Sequence, residues 1–303
     1  MKIAIFNVGG ALSSYIEVSG KKVLIDLGSG NDFSPVNDFL LPLFKKKSYT
    51  KYSDKYVIDQ VILSHPHKDH ISDLAELDKH FYMELYTTPN DLSPQSEKKK
   101  NVNWSKVDDP ESKEVKTLRD LYKRRKLPLR VCSNALTIGY IYPGDVENNS
   151  TLTSESYTNN ISIAVYIQST YRIFFAADLQ KEGMKQMLDT NNDLLKHIKQ
   201  GVDFLVCPHH GLKSSFSTYL FSQMKNGKTK KLNIVSEKVT HGKNDKRQVD
   251  SRYSSTDYCE GDNNLSTGTD TVCQRKTSAG HIFIDDNGEV SICNDIEELI
   301  KKF

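Results

Sequence analysis

The stretch VIDQVILSHPHKDH, residues 57–70, decides how this chain is read. Val57–Leu63 is apolar apart from Asp59-Gln60 and breaks off at Ser64, the way a buried strand delivers a loop to a sheet edge. Just beyond it, His65, His67, Asp69 and His70 place four imidazole or carboxylate groups within six residues. Borderline cations such as Zn²⁺ prefer these donors, and several must converge because one ligand alone binds weakly. Alternate residues of an extended loop share a face, so His65 and His67 point together. A helix starting at Asp69 and His70 swings two further donors towards a neighbouring point. One loop could therefore serve two ions. The competing reading is a polar surface loop that is histidine-rich by chance, which leaves its position at the end of a buried strand unexplained. The spacing of Ile71, Leu74, Ala75 and Leu77 predicts a helix over Ile71–Leu77.

Upstream, Lys2–Val8, Leu12–Val18 and Lys22–Asp26 read as short strands separated by Gly9-Gly10 and Gly20, the start of an antiparallel meander. Asp26 ends the third of these before Leu27-Gly28. It is suited to orienting a metal-bound histidine, and equally to forming a turn. Downstream, residues from about 88 to 130 are polar and Lys/Ser-rich and read as an insertion, with Val115–Leu127 as a short amphipathic helix. Strands follow at Ala135–Tyr142, Ile161–Gln168 and Tyr171–Ala176, the last two joined by a hairpin at Ser169-Thr170. Then come a helix (Lys181–Leu188), a strand (Phe204–Cys207), a helix (Ser217–Lys225) and a strand (Lys231–Ser236). This alternation is α/β in character. Residues from about 237 to 276 form a long polar stretch, read as a loop. Strands Gly280–Ile284 and Glu289–Cys293 and a final helix close a single domain spanning 1–303.

Two of these strand ends carry further donors. Asp178 follows the apolar run Arg172–Ala177; a carboxylate there can bridge two cations, or cap the helix beginning near Lys181. His209-His210-Gly211 follows Phe204–Pro208. At least one of the pair is a candidate ligand, while the other could support or pack. The next residues, Lys213, Ser214 and Ser215, together with Asn160, are candidates to contact an anionic group. For the Lys-Ser-Ser stretch, helix capping is an equal alternative. His241, in the polar loop, could reach the site, although a lone loop histidine more often faces solvent.

Bulk properties narrow the function class. The 303 residues are 37% hydrophobic with a formal net charge of +2, which suits a globular protein with no overall pull on nucleic acid. Only local runs such as Lys98-Lys99-Lys100 or Lys123-Arg124-Arg125-Lys126 are strongly basic, and such runs usually just face solvent. No apolar run approaches the roughly 20 residues of a membrane helix. The opening MKIAIFNVGG is too short an apolar stretch for a signal peptide. Five widely spaced cysteines with no Cys-x-x-Cys pair fit reduced thiols. The expectation is a cytoplasmic protein without a membrane partner; no protein partner can be named.

In order, Leu24-Ile25-Asp26-Leu27-Gly28, His65-Pro66-His67-Lys68-Asp69-His70, Asp178 and His209-His210-Gly211 resemble the metallo-β-lactamase superfamily across nearly the whole chain. Phe6-Asn7-Val8-Gly9-Gly10, Asn159-Asn160-Ile161-Ser162 and His209–Ser215 look most like the hydrolase domain of ComEC-type DNA-uptake proteins. The resemblance implies a four-layer αββα sandwich with two divalent ions, zinc first and manganese as the alternative, at one edge between the sheets. It implies His65 and His67 on one ion, Asp69 and His70 on the other, Asp178 between them, and His209 or His210 completing the set. Asp69 and Asp178 are the implied catalytic carboxylates. Three departures stand out. Asn159 and Asn160 occupy the place where many members carry a further histidine, Ala177 stands where Gly is usual, and no channel accompanies the domain.

Two such ions can hold a bridging hydroxide and neutralise charge on the attacked group, which makes hydrolysis the natural reaction. The first expectation is a phosphodiesterase or nuclease acting on nucleic acid or a nucleotide. The alternatives are hydrolysis of a small ester, lactone, thioester or lactam, and a non-catalytic nucleotide- or metal-binding module.

Overall fold

A computed structural model describes residues 1–30, 32–90, 101–124, 130–237, 248–261 and 272–303, with the side chain of Arg124 excepted. The chain opens as β1 (Lys2–Ile5), β2 (Ser13–Val18) and β3 (Lys21–Leu27), antiparallel neighbours. A π-helical turn over Pro35–Leu40 runs into α1 (Leu41–Lys46), and the short β4 (Lys51–Tyr52) turns back on β5 (Lys55–Ile62). Here the meander ends, because β5 lies parallel to β3. After α2 (Lys68–Ile71) and α3 (Leu74–His80), β6 (Phe81–Thr87) adds to the far side of β5, also in parallel. From the C-terminal part, β13 (His281–Ile284) pairs with β1, and β14 (Val290–Cys293) pairs with β13, completing an eight-stranded sheet. α10 (Ile296–Lys302) closes the chain against β14.

Among the described residues, the second sheet has six strands in the order β12-β11-β10-β9-β8-β7. These are β7 (Leu136–Gly139), β8 (Ala164–Gln168), β9 (Arg172–Phe175), β10 (Phe204–Val206), β11 (Leu232–Val235) and β12 (Gln274–Lys276). β9 to β12 run parallel, so their C-terminal ends share one edge. Pleating sorts the side chains. Ile3 and Ile5 of β1, Val23 and Ile25 of β3, Ile173 and Phe175 of β9, and Phe204 and Val206 of β10 form one apolar cluster between the sheets. Their neighbours Ala4, Phe6, Leu24, Phe174 and Leu205 join the other cluster, which holds the helical residues Leu74, Leu118, Met184, Leu194 and Leu220. The result is the αββα sandwich expected from the sequence.

Several elements have weak sequence signals. α4 (Lys113–Arg124) falls in the expected insertion, shifted slightly from Val115–Leu127, and residues 125–129 lie outside the described set. α5 (Pro143–Glu147) and α6 (Ser150–Asn160) form in a Ser/Thr/Asn-rich stretch, started by Pro143 in the first turn and by Asn149, whose Oδ1 accepts from the backbone of Thr151 and Leu152. α7 (Lys181–Thr190), α8 (Asn192–Gln200) and α9 (Thr218–Gln223) cover the second sheet. β12 is a strand where a long polar loop was expected from 237 to 276. Its backbone pairs with β11, which a polar sequence does not prevent. The run Lys98-Lys99-Lys100 and residues Arg125-Lys126 lie outside the described residues.

Ala177, just past β9, has φ +49, in the left-handed region that costs an L-residue about 1–2 kcal/mol relative to Gly. Its carbonyl accepts from the His209 backbone at 2.8 Å, which holds it there. Ala177→Gly should therefore stabilise the metal-free protein by about 0.5–1 kcal/mol, the extra unfolded-state entropy of Gly offsetting part of the gain. Urea unfolding would measure this, and a destabilised variant would contradict the assigned backbone strain.

Candidate metal centre

The centre is assembled from strand ends. Ser64 and His65 follow β5, Asp26 lies near the end of β3, Ala177-Asp178 follow β9 and Cys207–His210 follow β10. Asp26, Ala177, His209 and His210 all have positive φ, between +48 and +55, so the backbone turns sharply at each of these points. Gly28 allows the His65–His70 loop to approach β3, since a Cβ there would collide with the Asp69 carbonyl oxygen.

Asp178 lies at the focus, buried. Its Oδ1 is 3.3 Å from His70 Nε2, and its Oδ2 is 3.7 Å from His65 Nε2, 3.8 Å from His209 Nε2 and 3.9 Å from His210 Nε2. Two triads result: His65, His67 and Asp178, and Asp69, His70 and His210. Within each, the donor atoms lie within 4.8 Å of one another. His65 and His70 are fully buried, whereas Asp69 is the most open donor, with 41% of its side chain exposed.

The ring nitrogens facing away from the centre are all occupied, so their tautomers can be read from their partners. His70 Nδ1 donates to Asp26 Oδ2 at 2.7 Å. The same carboxylate accepts from the Ser64 backbone at 2.7 Å and from Ser64 Oγ at 2.8 Å. With its proton given to Asp26, Ser64 Oγ accepts from His65 Nδ1 at 3.0 Å. His210 Nδ1 donates to the Ser236 carbonyl at 3.2 Å, and His67 Nε2 donates to Asp108 Oδ2 at 2.8 Å. Inward, His65 Nε2 and His67 Nδ1 consequently face each other at 2.9 Å as two lone pairs. That arrangement is repulsive unless a positive charge lies between or beside them. His70 Nε2 and His210 Nε2 are also buried and turned inward, each 3.3 Å from a carboxylate oxygen, of Asp178 and of Asp69 respectively. Imidazole nitrogens turned inward around two carboxylates, each imidazole steered from behind, suit a pair of divalent ions.

Electrostatics agree with this geometry. Burial lowers the His65 pKa well below its usual value, and burial lowers that of His209 too. Burial also opposes a proton on His70, but Asp178 and Asp26 outweigh it and raise the pKa well above the ordinary range. For His210, Asp178 and Asp69 likewise outweigh burial and raise the pKa above its usual value. Burial would raise Asp178 and Asp69, yet the surrounding imidazoles hold both below the usual carboxylate range. His70, His210 and His65 act on Asp178, and His210 and His70 on Asp69.

The other residues singled out in the sequence fall as follows. His209 Nδ1 is 3.2 Å from Ser215 Oγ, so the buried Ser215 faces the centre's support, while Lys213 and Ser214 are exposed on the same turn. Asn160 is fully buried, with its Nδ2 donating to the Leu152 carbonyl and Glu155 and its Oδ1 accepting from the Gln180 backbone. It is thus engaged inside the protein. Asn159 is buried beside it with its Oδ1 unpartnered. His241 lies outside the described residues. Asp108, Ser64 and Ser236 had no signal in the sequence. Asp108 sits 41 residues from His67 in the polar insertion.

The model of the Metallo-beta-lactamase superfamily matches residues 6–153, and the chain has the metallo-β-lactamase fold. Among solved structures it is similar to a metallo-beta-lactamase fold protein YhfI from Bacillus subtilis, at 14% identity and TM-score 0.38 over 77% of this chain and 85% of that one. An isothiocyanate hydrolase from Delia radicum gut bacteria aligns at 12% identity and TM-score 0.40, over 97% of this chain and 99% of the other. A diphosphatase from the PhnP family aligns at 10% identity and TM-score 0.37, over 76% and 85%. No curated protein matches by sequence. Among the described residues, no helix is long and apolar enough to cross a membrane.

Because neighbouring carboxylates raise the pKa of His70 well above its ordinary value and that of His210 above it, divalent ions compete with protons at both rings. Uptake of Zn²⁺ at pH 7 should therefore release protons, and apparent affinity should climb with pH until the imidazolium forms lose their protons unaided. Calorimetry in buffers of differing ionisation enthalpy measures the release; binding without proton release would refute the assigned protonation.

Proposed function

We propose, from the metallo-β-lactamase fold of this chain, that the protein is a hydrolase that uses two divalent ions, zinc or manganese, to cleave phosphodiesters in nucleic acid or a nucleotide. The observation that carries the metal requirement is the inward-facing pair His65 Nε2 and His67 Nδ1, 2.9 Å apart with their other nitrogens already committed. His65, His67 and Asp178 would hold one ion and Asp69, His70 and His210 the other, with Asp178 Oδ1 also 3.3 Å from His70 Nε2 of the second group. When bound, such ions supply Lewis acidity, neutralise charge and lower the pKa of water towards neutrality.

The chain's own residues do the rest. Asp26 and Ser64 lock the ring of His70, and the Ser236 carbonyl locks that of His210. Asp69, open to solvent on one side, is placed to orient a water and hold its proton. His209, its proton affinity lowered by burial, is placed to accept a proton or to serve as a further donor beside Asp178. Lys213 and Ser214, exposed directly after the paired histidines, can meet an anionic oxygen. These two residues, with the resemblance of the His209–Ser215 run to the ComEC-type hydrolase domain, favour a phosphodiester over a neutral carbonyl substrate.

The test is turnover of bis-p-nitrophenyl phosphate, a labelled oligonucleotide and a simple lactone with Zn²⁺ or Mn²⁺, beside His67→Ala. Phosphodiester turnover that falls at least 100-fold in the variant is expected. Lactone turnover alone would reassign the substrate, and inactivity with every metal would point to a binding module.

A further inference from the structure

The insertion between β6 and β7 reaches into the metal centre. Its Asp108 carboxylate accepts from His67 Nε2 at 2.8 Å, while the Asp108 backbone donates to Thr158 Oγ1 at 3.0 Å. Asp108 therefore links the loop carrying His65 and His67 to the end of α6, next to Asn159 and Asn160. The segment is firmly docked. Asn103 donates from its backbone to Tyr157 Oη at 2.8 Å and from Nδ2 to Glu147 at 2.8 Å, and Lys68 pairs with Glu114 at 3.5 Å. Val107 and Leu118 are buried in the main apolar cluster.

We infer that Asp108 is a positioning residue for the first ion: it fixes the His67 ring and its Nε2–H tautomer, so that Nδ1 is held towards His65 and Asp178. This rests on the two-ion reading above. The need for it follows from the donor count. Among the described residues, the first triad offers three donor atoms, from His65, His67 and Asp178. A site with few donors depends more on each being held in orientation, because any ring freedom must be given up on binding. Asp26 does the same for His70 on the second triad, but from a strand end within the sheet. Asp108 does it from an inserted segment, with 65% of its side chain exposed.

The experiment is chelator-competition titration of Zn²⁺ on the full chain, for wild type, Asp108→Asn, His67→Ala and the double variant. Removing an orienting carboxylate typically costs 10- to 100-fold in metal affinity. Asp108→Asn should weaken one of the two equivalents by about that factor, leave the other unchanged, and keep the urea midpoint of the metal-free protein. In the His67→Ala background it should have no further effect on affinity, because its role runs through that ring. Wild-type affinity at both equivalents in Asp108→Asn, or an equal loss in the His67→Ala background, overturns the inference while leaving the two-ion reading standing. A wild-type chain that takes up no divalent ion overturns both.

Discussion

A carboxylate with no exposure to solvent, Asp26, ties the two halves of the centre's frame together. One oxygen accepts from the Ser64 backbone, the other from Ser64 Oγ and His70 Nδ1. A buried carboxylate is tolerated only when its lone pairs are met, and here all three donors come from the loop that follows β5. The end of β3 and the end of β5, parallel neighbours in one sheet, are thereby locked to each other. His65 is reached through Ser64, His70 directly, and both then turn their free nitrogens towards Asp178.

What Asp26 does from the first sheet, strained backbone does from the second. Ala177, His209 and His210 sit in the left-handed region at the ends of β9 and β10, and the His209 backbone donates to the Ala177 carbonyl. Each such conformation costs of order 1–3 kcal/mol and persists only where packing over-determines it. The continuous apolar layer between the sheets, with Ile173, Phe175, Phe204 and Val206 on one side and Ile3, Val23 and Ile25 on the other, provides that rigidity. The edge that carries the candidate ligands is thus strained against a stiff interior.

The asymmetry between the two triads follows the same logic. The second draws on elements of both sheets whose ring partners, Asp26 and the Ser236 carbonyl, belong to the sheet frame. The first relies on His67, on a loop, with its outer nitrogen met by a segment outside that frame. Asn160, which sequence order places near a ligand position, instead braces the start of α7 through Gln180, and Gly183 leaves room for its amide.

Much of this was legible in the chain itself. The apolar run ending at Ser64, the donors at 65–70, Asp178 after an apolar strand and the paired histidines after another are local patterns, and each marks a strand end because burial and its abrupt loss are written residue by residue. The αββα layering was implied by the resemblance these motifs, taken in order, bear to the metallo-β-lactamase superfamily. The parallel pairing of β5 with β3 and β6, the helices in the Ser/Thr/Asn-rich 143–160 stretch and β12 in a polar run were not legible, since backbone pairing and caps place few demands on side-chain hydrophobicity. Nor was which nitrogen of each imidazole faces inward. That was decided by Asp26, Ser64, Ser236 and Asp108, groups brought together from far apart in the chain, because a hydrogen bond is set by proximity in space and leaves no mark on either partner's sequence.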